Sequence, residues 1–203
     1  MKKHYARIGA ALAWVAVLVQ LIVMLDNRVT GTGEALIRFF SFFTILTNTL
    51  LALYFSSHLA RGARWWLRRL RRPGVMTAIT VYISVVGLVY QLILRPLWSP
   101  TGVQMITDEL LHSVNPLYMI AMWVMFEDKR ILRWSMIPLW LIYPLIYLAC
   151  VLLRGAVANW YPYPFIDVGE LGYGQVGINA LGMLVLFVVL SALFVGVAKL
   201  LQR

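Results

Sequence analysis

The stretch Val75-Met76-Thr77-Ala78-Ile79-Thr80-Val81-Tyr82-Ile83-Ser84-Val85-Val86-Gly87-Leu88-Val89-Tyr90-Gln91-Leu92-Ile93-Leu94 holds no charged residue. A helix rises 1.5 Å per residue, so about 20 mostly apolar residues cross about 30 Å of hydrocarbon. This run, read to Arg95, is one such crossing. Working outward from 75–95, five further apolar runs of similar length occupy 8–26, 36–57, 109–126, 134–153 and 176–198. The expected fold is an all-α membrane protein, a six-transmembrane-helix bundle, forming a single integral membrane domain over 1–203.

The loops orient it. Lys2, Lys3, Arg7, Arg61, Arg64, Arg68, Arg69, Arg71, Arg72, Lys129, Arg130, Arg133, Lys199 and Arg203 fall on one side, and only Arg28, Arg38, Arg95 and Arg154 on the other. Basic residues in short loops stay in the cytoplasm, which predicts N-in/C-in topology and a multi-pass protein of the inner (plasma) membrane. The acids lean the opposite way. Asp26, Glu34, Asp108, Glu109, Asp167 and Glu170 lie outside, and Glu127 and Asp128 inside.

At 62% apolar residues, little remains from which to build a soluble domain. The formal charge of +10 sits mostly at cytoplasmic helix ends, where topology accounts for it, so no nucleic-acid partner is expected. Cys150 is the single cysteine, and His4 and His58 lie on the opposite side from His112. No metal site and no cofactor are therefore expected. The run after Lys2, Lys3 and Arg7 leaves through Met24-Leu25-Asp26-Asn27 without a small-x-small cleavage pattern, and reads as an uncleaved first span.

Two loops stand out. Residues 61–73 place Trp65, Trp66, Leu67 and Leu70 among six arginines, which suits a short interfacial helix on anionic headgroups. Residues 154–175 form the longest outer loop and contain Trp160-Tyr161-Pro162-Tyr163-Pro164-Phe165, either an aromatic belt or a lid.

Polar groups inside spans are expensive, so their depth is informative. Gln20, Ser41, Thr44, Gln91, His112, Asn115, Tyr147 and Asn179 fall in the outer half, with Asn48 and Tyr143 near the midplane. Inner-half hydroxyls such as Thr77 and Ser191 can bond back to helix carbonyls, whereas amides and imidazoles do so less easily. This asymmetry predicts an outward-opening cavity. Ser41, Thr44 and Asn48 share one helical stripe, and so do Asp108, His112 and Asn115. Asp108 would orient His112 as a base, or else cap the span. Thr44 is the best-placed buried hydroxyl for a nucleophile, with Asn48 and Asn115 as oxyanion candidates. The expected pocket adds Ser41, Thr47, Gln91, Tyr143, Tyr147, Asn179, Tyr163 and Phe165.

Three segments carry a family resemblance: Arg38-Phe39-Phe40-Ser41-Phe42-Phe43-Thr44-Ile45-Leu46-Thr47-Asn48, Leu111-His112-Ser113-Val114-Asn115-Pro116 and Tyr161-Pro162-Tyr163-Pro164-Phe165-Ile166-Asp167. In this order they resemble a bacterial six-span family related to the androgen-induced-gene-product and androgen-dependent TFPI-regulating proteins. The animal members are threonine hydrolases of fatty acid esters of hydroxy fatty acids. The resemblance implies a catalytic Thr44 and His112 and a lipid or fatty-acyl ester substrate. It departs at Thr47, where the animal pattern has an acid, and in a His-to-Pro stretch one residue shorter. The alternative reading is a non-catalytic binder of lipid or another apolar ligand, or a small transporter.

Overall fold

The computed structural model describes residues 3–60, 64–97 and 99–202, and these form helices and turns with no strand among them. Lys2, Arg61, Gly62, Ala63 and Arg203, which enter the charge pattern and the basic loop, lie outside the described residues. The elements are α1 (Lys3–Asp26), α2 (Thr32–Phe39), α3 (Phe43–Leu59), α4 (Trp65–Arg69), α5 (Val75–Val89), α6 (Gly102–Glu109), α7 (Asn115–Phe126), α8 (Ile137–Ala158) and α9 (Val168–Leu200).

Among the described residues, four helices are long and apolar enough to cross a membrane: Lys3–Asp26, Val75–Leu97, Trp134–Ala158 and Val168–Leu200. A fifth arises if α2 and α3, bent by 73°, count as one. The expected six are therefore four or five by length and composition. The expected span 36–57 is two helices rather than one. The expected span 109–126 lies in a helix that already starts at Gly102 and passes through a π turn, Leu110–Val114, into α7. That helix gathers Asp108, Glu109, His112, Asn115 and Pro116 at its middle, and these groups lower its apolarity.

The helix continuing from α5 is the axis of the bundle. Its apolar window is 72% buried, against 17% for that of α8 and 28% for those of α1 and α9. A helix apolar all round belongs in such a centre, while one-sided helices turn their remaining apolar faces to lipid. α1 packs closely on α3, and its buried residues are small: Ala6, Gly9, Ala10, Ala13 and Ala16, with Val17. A Cβ on Gly9 would stand 2.6 Å from the Phe55 ring, so the small side chains set the approach of the two helices.

The long loop expected over 154–175 contracts to residues 159–167. α8 runs past Arg154 to Ala158 and ends on Asn159 in the left-handed region (φ 47°), and Asp167 Oδ1 caps α9 by accepting from the Gly169 and Glu170 amides. α9 then kinks at Gly172, whose φ of 72° is open to glycine without strain. The Tyr161 ring seats directly on Gly155, where a Cβ would fall 1.9 Å from it. Within α8, Pro144 supplies no N–H for the Trp140 carbonyl four residues back, and Tyr82 donates its hydroxyl there at 2.6 Å.

Gly155→Ala is expected to destabilise the detergent-solubilised protein by about 1–3 kcal/mol through overpacking against Tyr161. Gly177→Ala, with nothing within 4 Å of the new methyl, is expected to be neutral or slightly stabilising. Chemical denaturation of the two variants beside wild type checks the pair.

Candidate functional site

The site begins where the chain breaks between α2 and α3. Phe40, Ser41 and Phe42 include no glycine or proline, so the bend has a tertiary cause. The turn closes with the Ser41 and Phe42 amides donating to the Arg38 and Phe39 carbonyls. Two phenols then take over groups the helix would have paired. Tyr147 donates to the Ser41 carbonyl at 2.8 Å, and the Thr44 amide donates to the Tyr163 hydroxyl at 3.3 Å. Phe42 sits edge-on to both Trp160 and Tyr163, and Phe43 packs against Tyr143, Tyr147 and Phe187.

This corrects the expected stripe. Ser41 lies at the break, with its Oγ donating to the Ile37 carbonyl, and does not share a helix face with Thr44 and Asn48. Thr44 instead occupies the first turn of α3. Backbone N–H groups there have no partner within the helix and carry the positive end of its dipole. Thr44 Oγ1 is buried, 3.5 Å from the Tyr163 hydroxyl, and no hydrogen bond joins it to His112 among the described residues.

His112 lies in the π turn. Its Nδ1 is 2.9 Å from the Asp108 carbonyl oxygen and 3.3 Å from Asp108 Oδ1. The Tyr90 ring stacks on the imidazole, 4.0 Å between centroids at 14°, and the Tyr90 hydroxyl donates to Asp108 Oδ2. With Nδ1 carrying the proton toward Asp108, Nε2 keeps its lone pair. Because α6 starts at Gly102, Asp108 stands within the helix and is not its cap. It sits beside the histidine, with its carboxylate buried.

The π turn has a chemical cause. The Asn115 amide reaches back five residues to the Leu110 carbonyl, and Pro116 has no N–H to offer Leu111. The Leu111 carbonyl is thereby orphaned, and Asn48 Nδ2 donates to it at 3.3 Å while also donating to the Thr44 carbonyl at 2.9 Å. Asn115 Nδ2 completes the clamp by donating to Asn48 Oδ1 at 2.8 Å. Both amide hydrogens of Asn48 are thus engaged with backbone, which removes it from the oxyanion role expected from sequence. On the far side, Gly87 lets α5 approach closely, since a Cβ there would lie 3.1 Å from the His112 carbonyl oxygen.

Two cavities meet at Thr44. The larger, about 310 Å³, is bounded by Gln20, Gln104, Tyr90, Asp108, His112 and the Pro162–Pro164 segment. The smaller, about 90 Å³, runs between α5, α8 and α9 past Val85, Val89, Leu148, Met183 and Phe187, and is almost wholly apolar. Thr44, Leu94 and Tyr163 line both. Of the remaining expected pocket residues, Tyr147 and Phe165 line the apolar cavity. Ser41, Thr47, Asn48, Gln91, Asn115, Tyr143 and Asn179 line neither, and most of them instead bond other groups of the protein. Thr47 pairs with Tyr143 at 3.3 Å, Asn179 donates to the Phe165 carbonyl at 2.8 Å, and Gln91 belongs to a surface network with Arg95 and Ser113.

Tyr90 and Gln104 are the members that sequence reasoning missed. Tyr90 reads as one more apolar residue of its span, although it adjoins Gln91 in sequence. Gln104 falls before the expected span start and pairs with Gln20, at 3.0 and 3.4 Å. Comparison with protein-family models, curated proteins and solved structures finds no match to this chain.

Asn48→Leu is expected to destabilise the protein by about 1–3 kcal/mol, because it leaves the Leu111 carbonyl buried without a donor. In a double-mutant cycle, Asn48→Leu and Asn115→Leu should couple by about 0.5–3 kcal/mol, the range for residues sharing one network. Additivity in denaturation would contradict the clamp.

Proposed function

We propose that the protein is an intramembrane lipid ester hydrolase in which Thr44 is the nucleophile and His112 the general base. The observation that carries this reading is the position of Thr44. It forms the common wall of a cavity holding His112, Asp108 and Tyr90 and of an apolar cavity suited to an acyl chain. The motif resemblance points the same way and suggests a fatty acid ester of a hydroxy fatty acid as substrate.

In this mechanism His112 Nε2 takes the proton of Thr44 Oγ1 as that oxygen adds to the ester carbonyl carbon. The imidazolium formed is stabilised by Asp108 next to Nδ1, as in triads where a carboxylate holds the tautomer and is not itself protonated. Collapse breaks the bond to the alkoxy oxygen, which leaves with the proton from His112. Water, deprotonated by His112, then adds to the acyl-threonine, and the carboxylic acid departs as Thr44 recovers its proton. The oxyanion meets the α3 N-terminus and the Tyr163 hydroxyl, which accepts from the Thr44 amide and turns its own hydrogen from Thr44 Oγ1 to the oxyanion.

A second reading keeps the cavities and drops the chemistry: a lipid or fatty-acid binder. It is favoured by the contact of Thr44 Oγ1 with Tyr163 rather than His112. Hydrolysis of a fluorogenic long-chain ester by the reconstituted protein separates the two. The hydrolase reading expects Thr44→Ala and His112→Gln to lower turnover by about 10²–10⁴, Tyr163→Phe by about 10²–10³, and Thr44→Ser to retain activity. Undiminished turnover in Thr44→Ala refutes it. Absent turnover with saturable fatty-acid binding selects the binder.

We further propose six crossings in the plasma membrane with both termini in the cytoplasm. The helix Gly102–Phe126 serves as the fourth, and the basic loop around α4 rests on anionic headgroups. The support is the asymmetry of Lys and Arg between loops. In a Cys150→Ala background, single cysteines at 64–73 or 127–133 should be shielded from an impermeant thiol reagent in intact cells, and those at 159–167 labelled. Labelling of 64–73 from outside would overturn the orientation.

A further inference from the structure

Outside the lining of both cavities, α2, α8 and the 159–167 loop bring together two guanidinium groups and a single carboxylate. Arg38 Nε and Arg154 Nη2 both donate to one oxygen, Glu34 Oε1, each at 2.7 Å. Both guanidinium carbons stand 4.9 Å from the ring centroid of Trp160. The cluster therefore carries one positive charge in excess. Arg154 Nη1 is buried and meets no hydrogen-bond acceptor among the described residues. Asp167, the carboxylate on the same loop, is committed to the α9 N-terminus. Nearby on α2 and the break, Ile37 and Phe40 are exposed. Arginine, tryptophan and exposed apolar side chains in one place are the makeup of a headgroup-level site.

A guanidinium presents donors in a planar fork that matches tetrahedral oxyanions, and ring stacking holds that fork in place without using its N–H groups. Glu34 satisfies two of the available donors through one oxygen and leaves the surplus charge unanswered. Its side chain is 35% exposed, so it can give way to an incoming anion. We infer that Arg38, Arg154 and Trp160 form a binding site for a phosphate group, the headgroup phosphate of an anionic lipid or free phosphate, with Glu34 as the internal counter-ion it replaces. The site is independent of any chemistry at Thr44.

The test uses the full chain in nanodiscs of phosphatidylcholine with and without phosphatidylglycerol, with retained lipid counted by native mass spectrometry. Wild type is expected to retain phosphatidylglycerol preferentially. Arg38→Gln and Arg154→Gln should lower that preference roughly tenfold, as expected for loss of one charge-assisted fork. Glu34→Gln should raise it several-fold, because it removes the competing carboxylate and keeps both cations. That last variant also serves if the arginine variants fail to fold. A purely structural ion pair predicts the reverse for Glu34→Gln, a less stable protein with no gain in lipid. Millimolar inorganic phosphate that displaces phosphatidylglycerol and stabilises the protein in phosphatidylcholine discs would assign the site to free phosphate. Phosphate without effect, alongside preferential lipid retention, assigns it to the headgroup. Equal retention of both lipids by wild type with no effect of phosphate, or unchanged retention in Glu34→Gln, overturns the proposal.

Discussion

A backbone carbonyl or amide inside a membrane bundle cannot be left to water, and this requirement organises the molecule. The break between α2 and α3 exists because Tyr147 and Tyr163 reach across from α8 and its following loop. They take up the Ser41 carbonyl and the Thr44 amide that a continuous helix would have paired. Without those phenols the apolar run from Leu36 onward would be free to continue as one helix, and Thr44 would be a mid-helix threonine bonded back to its own backbone. With them, Thr44 stands in a first turn, at the positive end of α3, on the wall shared by two cavities.

The same solution recurs at two further interruptions. Pro116 and the π turn orphan the Leu111 carbonyl, and Asn48 supplies the donor. Pro144 orphans the Trp140 carbonyl, and Tyr82 supplies the donor. In each case a polar side chain that looks costly in a span is spoken for by a defect in a neighbouring helix. The groups left to line the larger cavity are then few: Gln20 paired with Gln104, and Tyr90, Asp108 and His112 bonded and stacked into one unit. In the proposed hydrolysis, Thr44 on the shared wall and His112 carry the chemistry, and the Tyr163 hydroxyl serves both the Thr44 amide and the oxyanion.

Apolarity was enough to read the helical class from sequence, and the run at 75–95 corresponds closely to Val75–Leu97. That Thr44 and Asn115 are buried polar residues was legible too, because amides and hydroxyls inside apolar helices need partners. The break was not. Arg38 to Phe43 has no helix breaker, and the cause lies more than 100 residues further along the chain, in Tyr147 and Tyr163. The early start of the helix at Gly102 was hidden as well, since Gln104, Thr107 and Asp108 read as loop. That shift removes the cap and leaves Asp108 beside the histidine, the other of its two expected places. Asn48 was visible as a polar residue, but its role depends on a proline in another helix, and a single-span reading does not connect the two.

The most direct test of the account is to treat the reconstituted protein with a long-chain fluorophosphonate and map the adduct by peptide mass spectrometry. The account predicts a phosphonylated Thr44, formed more slowly when His112 is replaced by Gln and absent in Thr44→Ala. An adduct confined to another hydroxyl such as Ser41, or no adduct while the ester is still hydrolysed, would contradict it.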